Sequence, residues 1–309
     1  MQNGMKIRKV VIIGAGAMGA AYAAMFLDAK GFAVSFVARG KRYQKLTQGP
    51  LSVNGKEYII PVIHPDEVAE PAELIIVALK HHHLPDALQD IKALAGDNTV
   101  VLSVMNGLES EEMIGAVCGL DKVVYAIAVG IDAVHEQGRF TFASPGKIIF
   151  GDGPHRADRR RLDRLQEALN LAKIPNEVPA DMMRMLWWKF MINVGINQAS
   201  AVLRAPYSVF QSSPDARALM EMLMLEVIAV AQQIDIDLSR EDLDDWIRIL
   251  ATLSPAGKTS MLQDVEAGRK TEVEIFAGKM VAMGSKHGVP TPVNKTILHM
   301  IKALESLNS

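Results

Sequence analysis

Three polar side chains stand within an apolar stretch in the second half of the chain. Lys189, Asn193 and Asn197 are spaced at i, i+4 and i+8, and the residues between them are almost all apolar. At about 100° per helical residue, the three fall within a stripe roughly 80° wide on one helix face. A buried amine and two buried amides are costly unless each has a partner. The pattern therefore indicates either a polar network between core helices or a ligand cleft lined by one proton donor and two amides.

A glycine-rich turn near the start of the chain is the second candidate for chemistry. Val10–Ile13 predicts a buried strand, Ala20–Leu27 predicts a helix, and the Gly-x-Gly-x-x-Gly pattern lies between them. In this context the pattern is typical of dinucleotide binding, because the glycines permit a tight turn, close approach of a pyrophosphate, and helix–strand packing. The N–H groups at the start of the helix would face the phosphates. The residues predicted to bind the cofactor here are Gly14, Gly16, Ala17, Met18 and Gly19.

The end of the next predicted strand, Ala33–Val37, informs the choice of cofactor. An NAD site usually has Asp or Glu at this point, to bond the ribose 2′-hydroxyl. Here the sequence is Ala38-Arg39-Gly40-Lys41-Arg42, with three cations and no carboxylate. Arg39 could contact a 2′-phosphate, so we predict NADPH/NADP as the cofactor. A solvated basic turn is the alternative interpretation.

Two further predicted strands end in polar residues. Lys80 follows the apolar run Leu74–Leu79, and Asn106 follows Thr99–Val104. In open α/β sheets, ligands bind outside the carboxyl ends of the strands. Each residue on its own is compatible with ordinary turn chemistry, but the shared location predicts that both face a ligand.

Composition excludes several classes of partner and site. The net charge is −2 and no long basic run occurs, which disfavours nucleic acid and anionic membrane as partners. The apolar run Val10–Leu27 is interrupted by nucleotide-loop glycines, so we expect neither a signal peptide nor a membrane span. Cys118 is the single cysteine, which fits a reducing compartment, and we expect a cytoplasmic protein. His81-His82-His83 cannot converge on one metal ion and lacks ligands at fixed spacing, so no metal site is predicted.

The order of predicted elements indicates two domains. Strands and helices alternate in the first half, whereas the second half is almost wholly helical. Pro175 and Pro179 punctuate the change. We therefore predict an α/β fold in which a Rossmann-type dinucleotide-binding domain, residues 1–176, precedes an all-helical substrate and catalytic domain, residues 177–309.

Taken in order along the chain, these motifs resemble the ketopantoate reductase (2-dehydropantoate 2-reductase) family. The resemblance covers almost the whole sequence, and its most specific parts are the lysine with the paired asparagines and the run Ser260-Met-Leu-Gln-Asp264 followed by Thr271-Glu272. It implies NADPH-dependent reduction of a 2-oxo acid, with ketopantoate as the first candidate, in a cleft between the domains. A homodimer is a further possibility.

The resemblance also implies roles for individual residues. Lys189 and Glu272 match catalytic positions, and Asn193, Asn197 and Ser260 match positions that contact the substrate. Lys80 matches a cofactor position, Asn106 is predicted to serve both cofactor and substrate, and Glu272 is predicted to face the cofactor as well. From the residues alone, Glu272 could instead cap a predicted helix over Val273–Met283, where an acid suits the dipole.

One region departs from the family pattern. Well-known members have a further substrate asparagine shortly after the second helix asparagine, where this chain reads Leu203-Arg204-Ala205-Pro206-Tyr207. Two alternatives to a ketopantoate reductase therefore stay open. One is a reductase of another 2-oxo acid, and the other is a non-catalytic NADPH-binding sensor, which would not need a proton donor at Lys189.

Overall fold

The computed structural model describes residues 6–136, 138–154 and 158–307. Contacts within the chain divide it into two compact units, Met1–Met185 and Leu186–Ser309. The division lies within a helix that spans Met182–Ile192, nine residues beyond the predicted boundary at residue 176. The units are described separately.

The first unit alternates strands and helices along most of its length. Its strands are β1 Lys9–Ile13, β2 Ala33–Val37, β3 Leu51–Val53, β4 Lys56–Tyr58, β5 Val62–Ile63, β6 Ala72–Val77, β7 Ala95–Ser103, β8 Val123–Ile131, β9 Val134–Glu136, β10 Arg139–Thr141, β11 Pro145–Gly151 and β12 Asn176–Glu177. Its helices are α1 Ala17–Asp28, α2 Gly40–Thr47, α3 Leu84–Leu94, α4 Ser110–Cys118 and α5 Arg159–Leu171, and α6 Met182–Ile192 crosses into the second unit.

Eight strands form the main sheet, in the order β12-β11-β8-β7-β6-β1-β2-β5. The strands from β8 to β5 in this order pair in parallel, whereas β11 runs antiparallel to β8. The apolar runs predicted as strands are buried because both faces of the sheet are covered. The chain places β2 on one side of β1 and β6 on the other, so the order reverses at the carboxyl end of β1. In such sheets this switch point is where ligands bind.

A second, four-stranded sheet has the order β4-β3-β10-β9. A strand predicted over Arg139–Ala143 is observed as β10, whereas β3, β4 and β9 were not predicted. All four strands are three residues long, which is too short for an alternating pattern to be distinctive. The helix α4 was also not predicted, because a run of nine residues is too short for the 3.6-residue period to be well defined.

The second unit contains only helices within its described residues, 186–307. After α6 come a π-helical segment, Asn193–Asn197, and α7 Gln198–Leu203, α8 Tyr207–Ser212, α9 Pro214–Gln233, α10 Arg240–Leu250, α11 Ser260–Glu266, α12 Ala277–His287 and α13 Pro292–Ser306. This architecture confirms the predicted fold class. No helix in the described part of the chain is both long enough and apolar enough to cross a membrane.

The helix predicted over Val273–Met283 is not continuous. A 3-10 turn, Val273–Ile275, comes first, and α12 begins at Ala277. Phe276 separates them with φ −102° and ψ −88°, outside the helical region. Helical apolar spacing is present on both sides of Phe276, but spacing alone cannot predict a break in the backbone at a buried aromatic residue.

Candidate functional site

The glycine-rich turn joins β1 to α1 at the switch point of the main sheet. Gly14 has φ +108°, and a Cβ there would lie 2.4 Å from the carbonyl oxygen of Ala78. A Cβ on Gly19 would lie 1.9 Å from the carbonyl oxygen of Gly14. A Cβ on Gly16, in contrast, would meet no atom within 4 Å. The first and third glycines are therefore required by the fold, while the second leaves open space at the start of α1.

The open space at Gly16 fits a dinucleotide phosphate. Gly16 is the N-cap of α1, and no side chain caps this helix. The first N–H groups of a helix lack intrahelical partners, and the positive end of its dipole attracts phosphate. The residues predicted for the cofactor, including Ala17 and Met18 in the first turn of α1, lie together at this helix start, and their contact with NADPH stays a prediction.

We expect Gly16→Ala to weaken NADPH binding by on the order of tenfold without loss of stability. The backbone of Gly16 is extended, with φ −86° and ψ −168°, which alanine adopts freely. The added methyl group would occupy only the space needed by the pyrophosphate. Fluorescence titration with NADPH and a thermal melt would test this. The matched variant Gly19→Ala should instead lower the melting temperature, and equal melting behaviour of the two variants would contradict the assignment.

Lys80 and Asn106 lie beyond the same edge of the sheet as the glycine turn. The N–H of Ala78 donates to the carbonyl of Ile13 (2.8 Å), and the N–H of Val104 donates to the last residue of β6 (3.0 Å). The carboxyl ends of β1, β6 and β7 are therefore side by side. Lys80 and Asn106 follow β6 and β7 by three residues and are half-buried. The structure brings these two predicted residues and the glycine turn to one end of the first unit.

Sequence reasoning did not identify what holds the Asn106 loop. The hydroxyls of Ser103 and Ser110 lie 2.8 Å apart at its two ends, and both residues are buried. Ser110 also donates to the carboxylate of Glu111, which is buried as well (2.8 Å). Small hydroxyl residues carry no periodic signal, so only the folded structure shows that they close this loop.

Arg39 lies at the N-terminus of α2, where it was predicted to meet a 2′-phosphate. Its guanidinium donates to both oxygens of Asp66 (2.9 and 2.7 Å) and, through Nε, to Asp90 (2.8 Å). Arg42, one turn further on, donates to the carbonyl of Ala15 in the glycine turn. Arg39 and Arg42 are therefore held by contacts within the protein, and carboxylates as well as cations lie at the turn because Asp66 and Asp90 pair with Arg39.

The predicted substrate residues of the second unit begin in the last turn of α6. Lys189 is half-buried there, and the α-helix ends at Ile192. Asn193 and Asn197 bound the π-helical segment, and Asn197 donates its amide to the side-chain oxygen of Asn193 (3.1 Å). The expected continuous α-helix is therefore locally widened, and π segments of this kind are frequent at functional sites. The two amides are linked to each other, one turn beyond the lysine.

Packing and a side-chain bond account for the widened turn. A Cβ on Gly195 would lie 2.4 Å from the side chain of Met224 in α9, so the segment approaches α9 more closely than any other residue would allow. The Gln198 amide donates to the carbonyl of Val194 (2.8 Å). This bond supplies a partner to a carbonyl of the π segment within the buried interior.

Gln198 belongs to a buried network that the sequence pattern did not reveal. Its Nε2 also donates to Asn294 (3.1 Å), while its Oε1 accepts the N–H of Ala277 (2.9 Å) at the start of α12. Asn294 donates in turn to Glu226 (2.7 Å). Gln198 and Asn294 are fully buried. The network connects the π segment to α9, α12 and α13. A buried polar network between core helices is therefore present, and it directly adjoins Asn193 and Asn197, the residues predicted to line a ligand cleft.

Ser260 and Glu272 occupy different environments. Ser260 is the first residue of α11 and is exposed, whereas Thr259 before it caps the helix by accepting the N–H of Leu262 (3.1 Å). Glu272 is half-buried and immediately precedes the 3-10 turn, without capping it through its side chain. Glu272 is thus the N-cap residue of this turn, and both the catalytic role and the favourable interaction with the helix dipole stay predictions.

The region that departs from the family pattern forms a tight corner. Arg204 ends α7 in the left-handed conformation, with φ +49°. Ser200 fixes the corner by donating to the carbonyl of Ala205 (2.6 Å). The N–H of Tyr207 then donates to the carbonyl of Gly257 (3.0 Å), and burial raises the pKa of the Tyr207 phenol. The corner therefore presents a half-buried phenol in the region where the family pattern is not matched.

The three consecutive histidines form a short 3-10 turn, His81–His83, after Lys80. Within the described residues, no group of three or more His, Cys, Asp or Glu side chains has a geometry able to hold a metal ion.

Family models match both halves of the chain. The model described as ketopantoate reductase PanE/ApbA matches residues 10–155, and its C-terminal counterpart matches residues 181–305. The chain belongs to the ketopantoate reductase family. The 2-dehydropantoate 2-reductase of Aquifex aeolicus is 27% identical over 310 residues, covering 98% of each chain. That of Archaeoglobus fulgidus is 27% identical over 302 residues, covering 98% of this chain and 99% of its own.

Solved structures have the same fold. The 2-dehydropantoate 2-reductase of Geobacter metallireducens superposes with a TM-score of 0.85 at 25% identity, over 96% of this chain and 99% of that one. A D-mandelate dehydrogenase solved with NADH and anilino(oxo)acetate gives a TM-score of 0.87 at 23% identity, over 97% and 99%. The latter likeness concerns the fold alone.

These matches confirm the predicted family, fold class and enzyme class. As a member of this family, the chain is an NADP-dependent oxidoreductase. The roles of individual residues stay predictions.

Proposed function

We propose that this chain reduces ketopantoate to pantoate with NADPH. The observation that carries the proposal is the set Lys189, Asn193 and Asn197, in which a half-buried amine precedes a hydrogen-bonded pair of amides. An amine can donate to a ketone oxygen, and amides can bind a carboxylate or hydroxyl. A protein that only sensed NADPH would not need this combination, which disfavours the sensor alternative.

In the proposed mechanism, the chain's own residues manage charge and protons. Bound NADPH supplies the hydride. The Lys189 ammonium donates a hydrogen bond to the ketone oxygen, where negative charge develops, and then transfers a proton to it. Asn193 and Asn197 orient the oxo acid, with Ser260 as a further contact. Gly14, Gly16 and Gly19, with Lys80, Arg39 and Asn106, hold the cofactor, and Asn106 also contacts the substrate.

Glu272 is proposed to bind the hydroxyl of ketopantoate and to lie close to the cofactor. We expect Glu272→Ala to lower kcat/KM for ketopantoate by on the order of 10- to 100-fold, and to affect its deoxy analogue much less. Only the hydroxylated substrate loses a bond to the carboxylate. Steady-state assays of both substrates with the wild type and the variant would test this. A fall by the same factor for both would remove Glu272 from recognition of the hydroxyl.

The direct test of the proposed function is NADPH oxidation over a panel of 2-oxo acids that includes ketopantoate. A second candidate, reduction of another 2-oxo acid, is favoured by Tyr207 and the corner Leu203–Pro206, which change the family's pattern. Turnover of another acid with no turnover of ketopantoate would select this candidate. If no acid were turned over, the remaining alternative would be a non-catalytic NADPH-binding sensor.

A cytoplasmic location and a homodimer are the corresponding proposals for the protein in the cell. A ketopantoate reductase from Staphylococcus aureus is described as dimeric. Light scattering on the purified chain would test for a dimer.

A further inference from the structure

The two carboxylates that hold Arg39 bear on cofactor preference. A guanidinium has five N–H donors, and two-pronged binding of a phosphate uses one of its paired edges. Asp66 occupies the edge formed by Nη1 and Nη2, and Asp90 accepts from Nε on the other edge. In this arrangement, neither edge can offer two parallel bonds to a 2′-phosphate.

The two carboxylates differ in burial. The Asp90 side chain, on α3, is 12% exposed, whereas that of Asp66, in the 3-10 turn Pro65–Glu67, is 66% exposed. A nearly buried carboxylate depends on its ion partner, because an unpaired charge is costly there. An exposed ion pair contributes little and exchanges readily. Asp90 is therefore the anchor of Arg39, and Asp66 is the partner that can be displaced.

Charge also opposes the phosphate. Two carboxylates pair with one guanidinium, so these three groups sum to −1, and each carboxylate repels a dianionic 2′-phosphate that approaches Arg39. Lys41 and Arg42 of the same turn act in the opposite sense, but they do not free the Nη1–Nη2 edge of Arg39. The hydrogen bonds from Arg39 hold the pKa of the Asp66 carboxyl below its usual range, so Asp66 carries a full negative charge at neutral pH, as an unperturbed aspartate also would. His64 is a further neighbour, with Nδ1 3.6 Å from Asp66. A ribose with a free 2′-hydroxyl, as in NADH, meets no such repulsion.

We propose that Asp66 is a specificity-determining residue, which competes with the 2′-phosphate for Arg39 and so limits the preference for NADPH over NADH. The inference rests on the proposed use of NADPH. On binding of NADPH, the phosphate replaces Asp66 on the Nη1–Nη2 edge, while Asp90 keeps Arg39 in position. On binding of NADH, Asp66 stays in place.

The test is the affinity of the full chain for each cofactor, measured by fluorescence titration without substrate. Asp66→Asn removes the charge and keeps the size, and we expect the Kd for NADPH to fall about three- to tenfold at low salt. The Kd for NADH should change less than about twofold, and the gain for NADPH should shrink at high salt. The matched control is Asp163→Asn, an exposed aspartate of the same unit paired with Arg159 (3.1 Å), which should change neither Kd.

Two results would overturn the inference: an unchanged Kd for NADPH in Asp66→Asn, or equal changes for both cofactors. Asp90→Asn adds a check, since loss of the anchor should weaken NADPH binding where loss of Asp66 strengthens it. If the Kd for NADPH changed in the same direction in Asp66→Asn and Asp90→Asn, the two carboxylates would have the same effect on Arg39, and the distinction between an anchor and a competitor would be wrong. Failure of the proposed function is distinguishable, because it appears as absent turnover of 2-oxo acids and leaves these binding results intact.

Discussion

Lys189→Ala is expected to lower kcat by on the order of 100-fold or more, with the fold retained. The physical reason is the loss of the hydrogen-bond donor and acid at the ketone oxygen, where charge develops during reduction. Lys189 is half-buried in the last turn of α6, so truncation removes no core packing comparable to that of Trp187 or Phe190 beside it. The measurement is steady-state oxidation of NADPH with the preferred 2-oxo acid at saturation.

The control for this variant is Lys295→Ala, which removes an exposed lysine from α13 of the same unit. It should retain wild-type turnover, and both variants should keep the wild-type melting temperature and Kd for NADPH. Near-normal kcat in a folded Lys189→Ala protein would refute the role of Lys189 as proton donor.

The sequence was sufficient where a local pattern has one structural explanation. The strand, Gly-x-Gly-x-x-Gly and helix succession predicted a tight turn at Gly14 and close packing at Gly19. The structure has φ +108° at Gly14, and a Cβ on Gly19 would lie 1.9 Å from the carbonyl oxygen of Gly14. The buried parallel strands β1, β2 and β6 were predicted because both faces of the sheet are covered and their residues are mostly apolar. These features depend on neighbours in sequence, which is why they could be predicted.

What the sequence could not show depends on residues that are distant along the chain. Arg39 was predicted to be available to a phosphate, but its partners Asp66 and Asp90 lie 27 and 51 residues away. No local pattern pairs them. The sequence placed three cations after β2. The two carboxylates that pair with Arg39 come near it only when β2, the Pro65–Glu67 turn and α3 pack together.

The π segment shows the same limit in the second unit. An α-helical period placed Lys189, Asn193 and Asn197 on one stripe, and the lysine and amides do occur in successive turns. The period does not register that Gly195 lies against Met224, or that Gln198 bonds to Val194 (2.8 Å). Gln198 was not singled out because a glutamine inside a helix is ordinary until its partners are known.

Those partners predict a large effect for Gln198→Leu. Replacing the amide by an apolar side chain of similar size is expected to lower the free energy of unfolding by about 2–5 kcal/mol, because it leaves several buried groups without their bonds. These groups are the N–H of Ala277, the carbonyl of Val194 and the side-chain oxygen of Asn294. Each loses its hydrogen bond with the Gln198 amide in the buried interior, where water cannot readily replace it. Chemical denaturation of the full chain would measure the change.

The comparison variant is Gln232→Leu, at the end of α9, where an exposed glutamine makes one bond to the carbonyl of Leu238 (2.8 Å). Solvent can replace that bond, so its loss should cost less than about 1 kcal/mol. Similar costs for the two variants would show that the Gln198 network is not a significant source of stability. If Gln198→Leu is strongly destabilised as expected, the folded fraction at low temperature should also bind the 2-oxo acid more weakly, because Asn197 directly precedes Gln198 and the π segment has lost the bond to Val194. Unchanged KM in that folded fraction would mean that the network stabilises the helices without positioning the amides.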